Sequence, residues 1–96
     1  MSLNDAVLEI LSYIGGDDPR NWYVGIAQYP RDRLFGGHGV REQLDSWIYV
    51  PTPSTEIARE IERYFINEKQ TKGGDGGGNG FTKSVYAYRT ASHTRE

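Results

Sequence analysis

The stretch from Trp22 to His38, WYVGIAQYPRDRLFGGH, limits the possible folds of this chain more than any other. Its first half is rich in aromatic and β-branched residues, which are typical of strands buried on one face. Pro30 can open a helix because the first helical position needs no N–H, and the two glycines near the end of the stretch can end that helix. The stretch therefore predicts a strand over 22–28 followed by a short basic helix over 30–36.

The alternation of this strand separates its apolar residues from its tyrosine. Trp22, Val24 and Ile26 share one face, which we expect to pack against the core. Tyr23 lies on the other, more open face, which it shares with Gly25, a residue without a side chain. A tyrosine in that position can belong to a functional site or can simply cover the sheet, and the strand pattern alone favours neither interpretation.

Two longer helices are predicted outside this stretch. Residues 4–14 carry one apolar stripe, and Asn4 or Asp5 can cap the helix. Residues 53–69 follow Thr52, which is another cap residue, and they also carry one apolar stripe. We predict a core that draws on both helices and both confident strands: Val7, Leu11, Val24, Ile26, Leu34, Ile57, Ile61, Phe65 and Val85.

A second strand is predicted over 82–90, where Tyr86 and Tyr88 share one face and the small apolar residues share the other. We expect this strand to pair with 22–28, and residues 47–50 to form a short extended segment. The predicted fold class is therefore α+β, with a small antiparallel sheet flanked by helices.

Composition restricts the function classes. The 96 residues allow one small domain, which we place at 1–91 with a flexible tail over 92–96. The absence of cysteine excludes disulfides and thiolate metal sites. No stretch approaches the length of a membrane helix and no signal peptide is recognisable, so we expect no membrane association and a cytoplasmic location. The net charge of −2 argues against tight non-specific DNA binding, although arginines cluster around the 22–38 stretch.

The segment GGDGGGNG at 73–80 is the most unusual part of the composition. One interpretation is a flexible linker, and the other is an ordered turn whose backbone closely approaches another group. We predict the ordered turn, lying beside the face that carries Tyr23. The segment does not match the P-loop pattern, because no Gly-Lys-Ser/Thr sequence closes it.

Several short motifs occur in an order that resembles the GIY-YIG nuclease signature. Tyr23-Val24-Gly25 matches the YIG strand, and Arg33 follows the tyrosine by ten positions, where the arginine of the family is expected. The helical segment Ala58-Arg59-Glu60-Ile61-Glu62 resembles the metal-binding glutamate segment, and Asn79 matches the late asparagine. No GIY strand precedes Tyr23, and His38 follows Arg33 by five residues where four are usual.

The resemblance implies a divalent-metal-dependent endonuclease that hydrolyses nucleic acid phosphodiesters. Arg33 would steady the phosphate, since a guanidinium matches phosphate oxygens in a two-pronged geometry. Glu62 would hold Mg²⁺ or Mn²⁺, with weak affinity in the absence of substrate because a single carboxylate is a poor site. Tyr23 would orient the attacking water, and His38 would assist.

The missing GIY strand leads to a permutation hypothesis. If 82–90 takes its place in the sheet, Tyr86 or Tyr88 supplies the second active tyrosine. The predicted substrate-binding residues are then Arg31, Asn79, Tyr86 and Tyr88. The expected partner is nucleic acid, with DNA favoured, and the expected protein is a monomer or weak homodimer.

Two other functions remain open. The chain can be a catalytically inactive module that binds nucleic acid or protein, or a structural homodimer. Each candidate residue also has a structural interpretation: His38 as a loop residue, Arg33 paired with Asp32 or Glu42, Glu62 paired with Arg59 or Arg63, and Asn79 as a turn residue.

Overall fold

The computed structural model describes residues 2–74 and 80–96. Its main elements are two helices and three strands: α1 Leu3–Ile14, β1 Trp22–Ala27, β2 Trp47–Pro51, α2 Thr55–Glu68 and β3 Ser84–Arg89. A 3₁₀ turn, Pro19–Asn21, precedes β1. The predicted helix at 30–36 is a π-helical segment, Asp32–Gly37. The predicted α+β class is confirmed, and no helix in the described ranges is long and apolar enough to cross a membrane.

The three strands form one antiparallel sheet in the order β1-β3-β2. The predicted pairing of the first and last strands is confirmed, with Tyr23 opposite Tyr88 and Gly25 opposite Tyr86. The extended segment near 47–50 is a regular edge strand, which pairs with the other side of β3. The strand that carries two of the candidate tyrosines is therefore the centre of the sheet.

The helices begin at different caps from those that the sequence predicts. Ser2, not Asn4 or Asp5, caps α1, and Ser54, not Thr52, caps α2. Each serine hydroxyl accepts a backbone N–H three residues along the chain, which is the usual N-cap bond. The hydroxyl of Thr52 is used elsewhere, since it donates at 2.6 Å to a backbone carbonyl just before β3.

The main core lies between the two helices and the apolar face of the sheet. Six of the nine predicted core residues are buried: Val24, Ile26, Leu34, Ile61, Phe65 and Val85. Val7, Leu11 and Ile57 are only partly buried at its edge. Helix α1 turns a different row of side chains inward, namely Ala6, Ile10 and Ile14.

A second cluster of buried residues lies on the opposite sheet face, beneath the π-helical segment. Its buried members are Ala27, Leu34, Val40, Tyr86 and Tyr88, and Tyr23, Phe35 and Trp47 pack against them. Leu34 belongs to this cluster and not to the main core. The sheet therefore has one face that is aliphatic and one face that is rich in tyrosine.

Candidate active site on the tyrosine face of the sheet

Three tyrosines and one histidine pack together on this face. Tyr23 stacks on Tyr88 with ring centroids 5.3 Å apart and on Tyr86 at 6.3 Å, and the planes are nearly parallel in both pairs. The His38 ring lies 4.6 Å from that of Tyr23. Tyr86 and Tyr88 are buried whereas Tyr23 is half-buried, so Tyr23 is the ring through which the cluster reaches solvent.

The interpretation of His38 as a simple loop residue is wrong. Its side chain is only 6% exposed, and both ring nitrogens have partners. Nδ1 lies 2.6 Å from the carbonyl oxygen of Arg95, and Nε2 lies 2.8 Å from the hydroxyl of Tyr86. A carbonyl can only accept, so Nδ1 carries the proton and donates it to Arg95, and Nε2 accepts the hydroxyl hydrogen of Tyr86.

The segment 92–96, which the sequence predicts as a flexible tail, lies over this cluster. The backbone N–H of Arg95 donates to the carbonyl of His38 at 2.7 Å, and the hydroxyl of Tyr88 donates to the carbonyl of Arg95 at 3.2 Å. His93 lies 2.6 Å from the carboxylate of Asp45. These contacts place the backbone of residue 95 where it determines which nitrogen of His38 is protonated.

Gly25 supplies the space that the Tyr86 hydroxyl occupies. A Cβ at this position would lie 2.5 Å from Oη of Tyr86 and 2.6 Å from its Cζ, which is closer than real Cβ atoms approach other atoms. The glycine of the Tyr-Val-Gly motif is therefore required by a side chain on the neighbouring strand. This requirement follows from the register that places Gly25 opposite Tyr86.

Arg33 and Glu62 approach the same tyrosines from different elements. Arg33 is exposed, and its aliphatic stem lies against Gly37 within the π-helical segment. Its positive charge lowers the pKa of the Tyr86 phenol, against the larger effect of burial. Glu62 is 7% exposed on α2, and its charge acts on both Tyr23 and Tyr86. Glu62 is therefore buried on the side of α2 that also carries the core residues Ile61 and Phe65.

The environment of the cluster controls its protonation. Burial raises the pKa of Tyr23, Tyr86 and Tyr88 above the ordinary value for tyrosine, and in Tyr23 the Glu62 carboxylate raises it further. The Arg33 guanidinium opposes this shift at Tyr86. Burial lowers the pKa of His38, whereas its hydrogen bond to the Arg95 carbonyl raises it. At neutral pH the phenols are therefore hydrogen-bond donors and His38 is a neutral acceptor.

Gly74 brings the start of the glycine-rich segment to Tyr23. A Cβ on Gly74 would lie 3.4 Å from the Tyr23 hydroxyl oxygen, and the Gly74 backbone lowers the pKa of that phenol, against the larger effect of burial. Just before it, Lys72 bonds to the outer edge of β1 through two backbone hydrogen bonds of 2.8 and 2.9 Å. The predictions for Asn79 and for the interior of the segment fall on residues 75–79, which lie outside the described residues.

Arg31 is separated from this group, although the sequence groups it with the substrate-binding residues. It is Arg31, and not Arg33, that pairs with Glu42, at 2.6 Å. Its guanidinium also lies over the rings of Phe35 and Trp47, 5.1 and 5.5 Å from their centroids. Arg31 therefore faces the β2 side of the sheet, and Arg33 faces Tyr86.

The described residues contain no cluster of three or more histidine, cysteine, aspartate or glutamate side chains that would hold a metal ion. Among the predicted site residues, Glu62 is the carboxylate that would hold a cation here. Such a site suits Mg²⁺ or Mn²⁺, which are commonly held by one or two carboxylates together with substrate phosphates.

No family model matches this chain, and no curated protein or solved structure matches it either.

Proposed function

We propose that this protein is a metal-dependent nuclease that hydrolyses phosphodiester bonds in nucleic acid, with its site at Tyr23, Tyr86, Arg33 and Glu62. One observation carries the proposal: Tyr23 stacks on Tyr86 at 6.3 Å and the Tyr86 hydroxyl lies 2.8 Å from Nε2 of His38, in a position where the charges of Arg33 and of the buried Glu62 both change the pKa of Tyr86. Phosphodiester hydrolysis needs these three kinds of group, namely a cation for the phosphate, a carboxylate for a metal ion and a hydroxyl to handle a proton.

The order of hydrogen bonds suggests how a water molecule is activated. Tyr86 donates its proton to Nε2 of His38, so the lone pairs of its oxygen remain able to accept a proton from a water molecule that enters beside the half-buried Tyr23. A water that gives a proton to this oxygen would cause the tyrosine proton to pass to His38. The resulting imidazolium keeps its Nδ1 bond to the carbonyl of Arg95, which stabilises the positive charge.

The other two groups receive the phosphate. Arg33 is exposed and carries a fixed positive charge, so it can hold a phosphate oxygen through two parallel hydrogen bonds. Tyr23 is half-buried beside Gly74, and its hydroxyl would donate its proton to the phosphate or orient the attacking water. Glu62 would hold Mg²⁺ or Mn²⁺, which when bound neutralises charge that develops on the phosphate.

A single-turnover cleavage assay tests the proposal with one isosteric variant and one truncation. Glu62→Gln keeps the shape of the buried side chain and removes its charge, and Arg33→Ala removes the phosphate contact. The matched controls are Glu60→Gln and Arg63→Ala, which are exposed positions on the same helix α2. We expect labelled single- and double-stranded DNA and RNA to be cut by wild type and both controls in Mg²⁺ or Mn²⁺. Each site variant should lose about 100-fold or more in rate.

The same measurements distinguish the two other functions. A binding module would cut nothing, yet Arg33→Ala would weaken nucleic acid binding more than Arg63→Ala, and the salt dependence of binding would become shallower. A structural homodimer would neither cut nor bind, and it would sediment as a stable dimer. Either result overturns the proposed nuclease activity.

A further inference from the structure

A second concave surface lies on the tyrosine face, where β1 runs into the π-helical segment. It has a volume of about 320 Å³, in the range of small-molecule sites, and its lining includes the side chains of Gln28, Tyr29, Arg31, Asp32, Tyr49 and Ser84. None of these residues except Arg31 belongs to the candidate site or to its predicted residues.

Two aromatic rings at this surface are open to solvent. Tyr29 is 65% exposed and Tyr49 is 36% exposed. Tyr49 is also held in place, because it stacks on Trp47 with the centroids 6.2 Å apart and the planes only 8° apart. A ring that is already oriented loses little conformational freedom when another flat ring stacks on it.

The charges at this surface favour a neutral ligand. The positive charge of Arg31 is balanced by Glu42 at 2.6 Å, and Asp32 adds a carboxylate to the same lining. A phosphate would therefore find no uncompensated cation. The amide of Gln28, the carboxylate of Asp32 and the hydroxyl of Ser84 are instead the kinds of group that hydrogen-bond the edges of nucleobases.

The distance to the candidate active site suits one continuous nucleic acid strand. Ser84 is two residues from Tyr86 on β3, so their Cα atoms are separated by about 7 Å. This separation is short enough for a base at this surface and a phosphodiester at the candidate site to belong to neighbouring nucleotides of one strand. We infer that this surface is a subsite for an unpaired nucleobase, next to the phosphodiester that Arg33 and Tyr23 would receive beside Tyr86. The inference rests on the proposed function and makes a single-stranded or locally opened strand the substrate.

An abasic scan tests the inference. Each nucleotide of a short single-stranded DNA is replaced in turn by an abasic one, and binding to wild type, Tyr49→Ala and Tyr29→Ala is measured. We expect one or two adjacent positions at which loss of the base weakens wild-type binding by about 5- to 150-fold. At those positions the loss should fall below about twofold in either alanine variant, since a ring that is absent cannot stack.

Two further variants control the scan. Tyr49→Phe keeps the ring and should keep the base dependence. Leu8→Ala is the control away from the subsite, since it removes an apolar side chain on α1 that is 61% exposed. Because Tyr29 is more exposed than Tyr49, its alanine variant reports on the subsite even if Tyr49→Ala folds poorly. Base dependence that is unchanged in Tyr29→Ala and Tyr49→Ala overturns the subsite and leaves the nuclease proposal intact.

Free nucleosides distinguish failure of the subsite from failure of the nuclease proposal. If wild type neither cuts nor binds the strand, the nuclease proposal fails, and adenosine and cytidine are then titrated into the labelled protein. Amide shifts at residues 28–32 and at Tyr49 would support a site for flat heterocycles. No shift at those amides would overturn the subsite as well.

Discussion

Gly25→Ala is the substitution whose effect the geometry defines best. The new Cβ would lie 2.5 Å from Oη and 2.6 Å from Cζ of Tyr86, which is 1% exposed and has little room to move. Overpacking of this kind costs about 1–3 kcal/mol, and losing the bond between Tyr86 and His38 adds about 1 kcal/mol. We expect the free energy of unfolding to fall by about 2–4 kcal/mol, which lowers the Tm of a domain of this size by at least about 8 °C.

A double-mutant cycle measured by urea unfolding tests this reasoning. In a Tyr86→Ala background the clash is gone, so the further change Gly25→Ala should cost less than about 1 kcal/mol. Gly16→Ala is the matched control, because a Cβ at Gly16 has no atom within 4 Å and its φ is not positive. If Gly25→Ala costs no more than Gly16→Ala, or costs the same in both backgrounds, Tyr86 does not occupy the space above Gly25.

Three further predictions follow from the core and from the environment of His38. Ile61→Ala should lower the free energy of unfolding by about 2–5 kcal/mol in urea melts, since Ile61 is fully buried, and a loss below about 1 kcal/mol would contradict its place in the core. Because burial lowers the pKa of His38 below its ordinary value of 6.5, the unfolded chain binds a proton that the folded chain does not. The stability of wild type should therefore fall as the pH decreases through 6.5, and urea melts of His38→Gln should show a smaller fall. Deletion of residues 95–96 should change the nitrogen chemical shifts of His38 from a single Nδ1-protonated form to a tautomer mixture, whereas Glu96→Gln, which keeps the amide carbonyl of Arg95, should leave His38 in the Nδ1-protonated form.

The regular elements could be predicted from sequence because their signals are local. Alternation in Trp22–Ala27 and Ser84–Arg89 identifies both the strands and the side on which their tyrosines lie. The apolar stripe of α2 likewise places Ile61 and Phe65 in the core. The inward-facing side chains of α1 were harder to predict from the sequence, because Val7 and Ala6 are adjacent and both fit the helical period. Packing against the sheet selects Ala6.

The environment of His38 could not be predicted because no local signal describes it. Its partners are a hydroxyl 48 residues away and a backbone carbonyl 57 residues away. Every residue has a carbonyl, so the identity of Arg95 carries no information about this bond. The two glycines that flank His38 favour a loop. In the structure, Gly39 has a positive φ of 72°, which is a conformation common in loops. The loop, however, carries the imidazole into the tyrosine cluster.

The central position of β3 links the stability of the sheet to the geometry of the candidate site. Gly25 and Tyr49 both lie opposite Tyr86, so two neighbouring strands fix its backbone. A slip of one residue would turn Val85 to the tyrosine face and would bury the Tyr86 hydroxyl beneath the helices, away from His38. The apolar core excludes that slip. Ile61→Ala should therefore lose activity only in proportion to the fraction unfolded, whereas Gly25→Ala, which displaces Tyr86 within an intact sheet, should lose activity while the protein is still folded.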